Sequence, residues 1–126
     1  MLGSRPCGRR TLVEAATLAQ TIVDILSDRQ ATDIVLLDIT HVSTIANYFV
    51  IATGSSVRQL AALAEALDEA LHSRAGLPRR VEGTPESGWI LIDYGDVIVH
   101  LFGQEERRFY DLERLWSRSV PVVRFQ

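Results

Sequence analysis

Several groups of residues in this chain are of a type that does chemistry, and their neighbours decide what each can achieve. Gly54-Ser55-Ser56 stands between a β-rich apolar run and the start of a helical pattern, a place where backbone N–H groups and the helix dipole bind phosphate. The same three residues serve equally as a tight turn and N-cap. A Gly-Ser pair so placed is also found in nucleotidyltransferases, whose chemistry needs nearby carboxylates to hold Mg²⁺, and Val57-Arg58-Gln59-Leu60 supplies none. Asp93 and Asp96 have the spacing of a metal pair, but they flank a turn, and Asp is common there because it tolerates turn geometry. His41, His72 and His100 are scattered, with no Cys or His at ligand spacing, which argues against a zinc site. Ser43, Ser55 and Ser56 lack the Gly-x-Ser-x-Gly setting of an activated nucleophile. All 13 basic residues are Arg, so Schiff-base chemistry and a P-loop lysine are excluded outright. The expectation is a chain with no catalytic residues, no metal and no cofactor.

What remains is a surface. Residues 89–102 read as a β-hairpin, two apolar runs joined by Gly95-Asp96, a pair suited to a type II′ or I′ turn. That turn sets Tyr94 opposite Val97, Ile92 opposite Val99 and Ile90 opposite Leu101, all on one side, which is aliphatic plus one Tyr. The other side carries Trp89, Leu91, Asp93, Ile98, His100 and Phe102, large aromatics mixed with a carboxylate and an imidazole. Two readings stand level: a contact surface, or a face covered by a helix with Asp93 and His100 at its wet margin.

Charge favours a basic partner. The formal net charge of −3 weighs against nucleic acid as the main ligand. Residues 89–113 hold six acidic side chains against Arg107 and Arg108, a net −4, and the rest of the chain sums to +1. An acidic segment beside exposed aromatics steers a basic protein by charge and holds it by apolar burial. The alternative is a solvated helix start and turn.

The elements that must position these groups alternate helix and strand. With 126 residues, 47% of them apolar, the chain is expected to form one domain able to bury a core without staples. No apolar run approaches the roughly 20 residues of a membrane span, no signal peptide is recognised, and the expected location is the cytoplasm. The single Cys7 lies in an Arg/Gly/Pro leader, residues 1–10, that has no periodic pattern. Thr11 to Glu14 reads as a capping box opening helix one, with Leu12, Ala15, Ala19, Ile22, Val23 and Leu26 at helical spacing. Asp33 to Ile39 and Tyr48 to Thr53 read as strands, and Ser56 to Gln59 as a second capping box opening helix two, which runs to about Ser73. Arg79 to Glu82 reads as a short charged edge strand, then the hairpin follows, and Glu105 to Trp116 reads as helix three with Phe109, Leu112 and Trp116 on one side. The result is a single α/β domain over residues 11–116, a mixed five-stranded sheet with three helices packed on it, followed by a tail over 117–126.

Linked motifs then carry a resemblance. Asn47-Tyr-Phe-Val-Ile-Ala-Thr-Gly54, Ser56-x-x-Gln59, Glu82-Gly83, the hairpin from Trp89 to Phe102, and Phe109-Tyr-Asp-Leu-Glu-Arg-Leu-Trp116 together resemble the ribosomal silencing factor family, also called the Iojap family. The likeness spans Leu18 to Trp116 in order, with Asn47 standing where many members have Asp. It implies an α/β domain of nucleotidyltransferase-like architecture without the catalytic carboxylates. It implies a partner, large-subunit ribosomal protein fourteen on the large ribosomal subunit, and a job: steric blockage of small-subunit joining, which represses translation under nutrient limitation. Carried onto this chain, the contact residues are Trp89, Asp93, Tyr94, Asp96 and His100 from the hairpin and Glu105, Glu106, Tyr110 and Glu113 from the segment after it, with the core as a rival claimant for Tyr94. A minor contact with rRNA and a homodimer away from the ribosome complete the expected partners; a membrane is not among them. The competing functional reading is a nucleotide-binding or nucleotidyltransferase-like enzyme.

Overall fold

The computed structural model describes residues 12–41, 43–112, 114 and 122–125. The elements are α1 (Leu12–Asp28), β1 (Thr32–Asp38), β2 (Tyr48–Gly54), α2 (Val57–Leu67), a π-helical continuation (Asp68–Arg74), β3 (Arg80–Thr84), a 3₁₀ turn (Pro85–Ser87), β4 (Trp89–Asp93), β5 (Val97–Gly103), α3 (Gln104–Tyr110) and β6 (Val122–Phe125). They build one mixed sheet in the order β3-β4-β5-β2-β1-β6, in which β2 and β5 run parallel and every other neighbouring pair is antiparallel. The five expected strands are all present, with β3 at the edge. A sixth, β6, comes from the stretch read as a tail and pairs with β1 from Ile34 to Leu37. The leader and the Thr11 capping residue fall outside the described residues.

One sheet face is closed by helices, as the periodicity requires. Leu18, Ala19, Ile22, Val23 and Leu26 of α1 and Leu60, Leu63 and Leu67 of α2 pack on Ile34, Val50, Ala52, Ile90, Ile92, Val99 and Leu101. Alternation sends Val35, Leu37, Phe49, Ile51, Ile98 and Phe102 to the opposite face, where Trp89, Leu91 and Leu112 pack against them half-buried.

The hairpin has the expected register, with Ile92 opposite Val99, Ile90 opposite Leu101, and the Tyr94 N–H donating to Val97 O at 3.0 Å. Its turn is of the II′ kind: Gly95 has φ +97°, Asp96 has none of this left-handed character, and the Gly95 N–H donates to Asp93 Oδ1 at 2.7 Å. The Asp96 carbonyl accepts from the N–H groups of Asn47 (2.7 Å) and Tyr48 (3.1 Å), so the turn also fixes the entry to β2.

The second capping box is half realised. Ser56 Oγ accepts the Gln59 N–H at 3.0 Å, as an N-cap should. The Gln59 side chain, however, reaches one residue further back, accepting from the Ser55 N–H (2.6 Å) and hydroxyl (2.8 Å). Its amide nitrogen donates to Gln30 O at 3.0 Å, stapling the start of α2 to the end of α1. Helix three is interrupted inside the stretch its apolar spacing predicts, with Leu112 and Arg114 helical again beyond the break. The break follows Tyr110 because Asp111 takes a left-handed conformation (φ 48°, ψ 50°) with its N–H on Arg107 O.

Candidate functional site

The mixed face of the hairpin divides between interior and surface. On β5, Ile98, His100 and Phe102 are sealed; on β4, Trp89, Leu91 and Asp93 are half-buried. Trp89 lies between Phe102 (ring centroids 5.0 Å) and Tyr110 (4.5 Å), and its indole N–H donates to His100 Nδ1 at 3.2 Å. Tyr110 is 42% exposed and packs edge-to-face at 5.0 Å on Phe109, which is 79% exposed. Glu82, Gly83, Ser87, Trp89, Leu91 and Tyr110 wall a cleft of about 310 Å³ beside edge strand β3. A half-buried Trp and an exposed Tyr lining an open cleft form an arrangement that takes up an apolar or planar group of a partner.

The expected contact residues are placed unequally. Trp89 and Tyr110 form the cleft. Asp93 is half-buried, its Oδ1 held in the turn and its Oδ2 paired with Arg80 at 3.6 Å across the β3–β4 ladder. Asp96 sits at the turn, with its carbonyl committed to β2. Glu105 is exposed on the first turn of α3. Glu106 lies over Gly88 and Gly103, where any Cβ would run into its carboxylate. Glu113 is outside the described residues.

Two placements correct the expectation. Tyr94 is buried in the aliphatic core beneath the helices, on the face opposite Trp89, and is no surface contact. Burial first, then the nearby Asp68 carboxylate, push its hydroxyl up to about 12, with Arg79 opposing, so it stays neutral. His100 is only 4% exposed and lies behind Trp89, so it too is no surface contact. Its burial lowers the imidazole to about 4.

That burial has a measurable consequence. The unfolded chain protonates His100 near 6.5 and the folded one only near 4, so between these values the unfolded state holds the extra proton and the fold loses stability as pH falls. A His100→Phe variant should lack this component, and its melting temperature should fall less steeply from pH 7 to pH 4. Parallel curves for parent and variant would contradict the burial of the ring.

Sequence reasoning missed two residues. Phe109 was placed only on one side of helix three with Leu112 and Trp116, and nothing in that spacing marked it as the exposed aromatic it is, at 79%. Arg107 is the one buried residue of α3: it is 6% exposed, donates from Nη1 to Thr53 Oγ1 at 2.6 Å and pairs with Asp33 at 3.4 Å. No local pattern announces such a buried guanidinium.

The fold also revises the carboxylate argument around Gly54-Ser55. Glu86, Glu105 and Glu106, distant in sequence, line a second cleft of about 250 Å³ together with Gly54, Ser55 and Ser56. Among the described residues, no group of three His, Cys, Asp or Glu side chains is placed to hold a metal ion. The Ser55 N–H and the Ser56 hydroxyl are engaged by Gln59, as a cap requires.

The model of the family described as "Ribosomal silencing factor during starvation" matches residues 13–126. The chain belongs to the ribosomal silencing factor family. A ribosomal silencing factor of Zymomonas mobilis is 40% identical over 114 residues, covering 90% of this chain and 86% of its own. A crystal structure of a Chromobacterium violaceum protein superposes with TM-score 0.74 at 33% identity, covering 86% of this chain and 88% of that one. A mouse protein named for mitochondrial assembly of the ribosomal large subunit is 31% identical over 99 residues, 76% of this chain and 43% of its own length. In this silencing-factor chain, then, the aromatic cleft lies on a fold shared with solved structures, and the nucleotidyltransferase-like architecture is compatible with its mixed sheet.

Proposed function

We propose that this silencing factor docks on the large ribosomal subunit through large-subunit ribosomal protein fourteen, occludes the small subunit, and so represses translation when nutrients are scarce. The observation that carries the reading is the cleft lined by Trp89 and Tyr110, with Phe109 exposed beside Tyr110. Asp93, Asp96, Glu105, Glu106 and Glu113 give the surrounding segment its negative charge, which suits a basic ribosomal protein: charge sets the rate of encounter, and apolar burial in the cleft sets the lifetime. Tyr94 supports the hairpin from the core, and His100 supports Trp89 from below. The name of the mouse relative, which refers to the ribosomal large subunit, points to the same particle.

In this reading the protein acts by occupying space and carries out no catalysis. It works in the cytoplasm and needs no cofactor; among the described residues no helix is long and apolar enough to cross a membrane. A minor contact with rRNA accompanies the docking. Away from the ribosome the protein pairs with a second copy of itself.

The purified protein, added to large subunits before small subunits, should reduce the yield of joined ribosomes measured by light scattering. Addition after joining should have far less effect, because the docking surface is then occluded. An undiminished yield with the protein in excess over large subunits would contradict the proposal.

A further inference from the structure

We propose that His100 is the positioning residue of this docking face: its imidazole holds the Trp89 indole in the orientation that forms the cleft with Tyr110. The proposal rests on the docking reading and adds to it a residue that touches no partner.

The geometry assigns the tautomer. Nδ1 accepts the indole N–H at 3.2 Å, so in the neutral ring the proton resides on Nε2. That Nε2 is fully buried and finds no hydrogen-bond partner among the described residues. A buried donor left unmade is a cost to the fold, so a hydrophobic ring of similar size would be the cheaper occupant. The rest of the environment is also that of a hydrophobic ring: His100 packs edge-on against Phe49 at 4.8 Å and parallel to Phe102 at 6.2 Å. These contacts fix the plane of the imidazole, and with it the direction of the Nδ1 lone pair. The thing a phenyl ring cannot do at this position is accept the indole N–H.

The consequence reaches the surface through Trp89. With its N–H tied inward, the indole lies 4.5 Å from Tyr110 and forms one wall of the cleft. Without an acceptor beneath it, the N–H is satisfied only by turning toward water, which takes the ring off Tyr110 and unmakes the cleft.

The test combines the Trp89 indole N–H resonance, identified by its loss in Trp89→Phe, with thermal melting and large-subunit sedimentation on the full chain. In the parent protein this N–H should exchange with solvent far more slowly than an exposed indole; fast exchange overturns the proposal without any variant. His100→Phe should melt at or above the parent temperature, lose the slow exchange, and bind large subunits about tenfold more weakly, the worth of one hydrogen bond. His100→Asn, whose Oδ1 can stand in for Nδ1, should restore both the slow exchange and the binding even if it melts lower. Full binding by His100→Phe, or an Asn variant as defective as the Phe variant, overturns the proposal. If Trp89→Ala loses binding and His100→Phe does not, the positioning role fails and the docking reading stands. If neither loses binding, the docking reading fails and takes the positioning role with it.

Discussion

Truncation of Arg107 to alanine should lower the stability of the fold by about 3–5 kcal/mol, the usual cost of removing one partner from a buried ion pair. The lower part of that range is expected because Asp33 is 47% exposed and water can replace part of what it loses. The guanidinium is the only buried group α3 contributes to the described structure, and it reaches two strands at once, Thr53 at the end of β2 and Asp33 at the start of β1. Asp33 itself sits at φ +51° beside the register shift between Thr32 and Val35, so the pair fastens α3 where β1 is irregular. The melting temperature should fall on the order of 10 °C. Because α3 carries Glu105, Glu106, Phe109 and Tyr110, large-subunit binding should fall with it. Arg107→Lys keeps the charge but not the fork that spans two acceptors, and should recover only part of the loss. An alanine variant that melts with the parent would show that α3 is held by something other than this guanidinium.

Trp89→Ala should weaken large-subunit binding by at least about 2 kcal/mol, roughly thirtyfold, which is the threshold of an interfacial anchor. Its cost to folding should be smaller than the about 3–5 kcal/mol of a fully buried aromatic, because the indole is half-buried and rests on the outer side of Phe102 and His100. Tyr110→Ala separates the two effects further: Tyr110 is 42% exposed, so its loss should cost the fold less than that of Trp89 while binding drops. A Trp89 variant that melts far below the parent, beside a Tyr110 variant with full affinity, would move the docking surface elsewhere.

The hairpin was legible from the sequence because its signals are local: a Gly-Asp turn fixes the register, and register fixes which side chains share a face. The helices over the first sheet face were legible for the same reason, since the Leu18–Leu26 and Leu60–Leu67 stripes are period-3.6 patterns that the structure buries. Depth was not legible. Alternation placed Trp89 and His100 on one face but carries no information that β5 is central and β4 next to the edge, and this sealed one while leaving the other half open. The exposure of Phe109 was not legible either, because its spacing matched a stripe that the left-handed Asp111 interrupts. Arg107, Glu86 and β6 were missed because their partners are long-range. The guanidinium meets Thr53 across 54 residues, and the strand at Val122–Phe125 pairs with β1, most of the chain away.

Sedimentation of the purified protein with separated ribosomal subunits, run beside Trp89→Ala and Tyr110→Ala variants of confirmed fold, tests the central claim most directly. The expected result is co-sedimentation of the parent with large subunits and not with small ones, with both variants left mostly in the supernatant. Equal binding of the parent to both subunits, or undiminished binding of both variants, would contradict the docking of this silencing factor through its aromatic cleft.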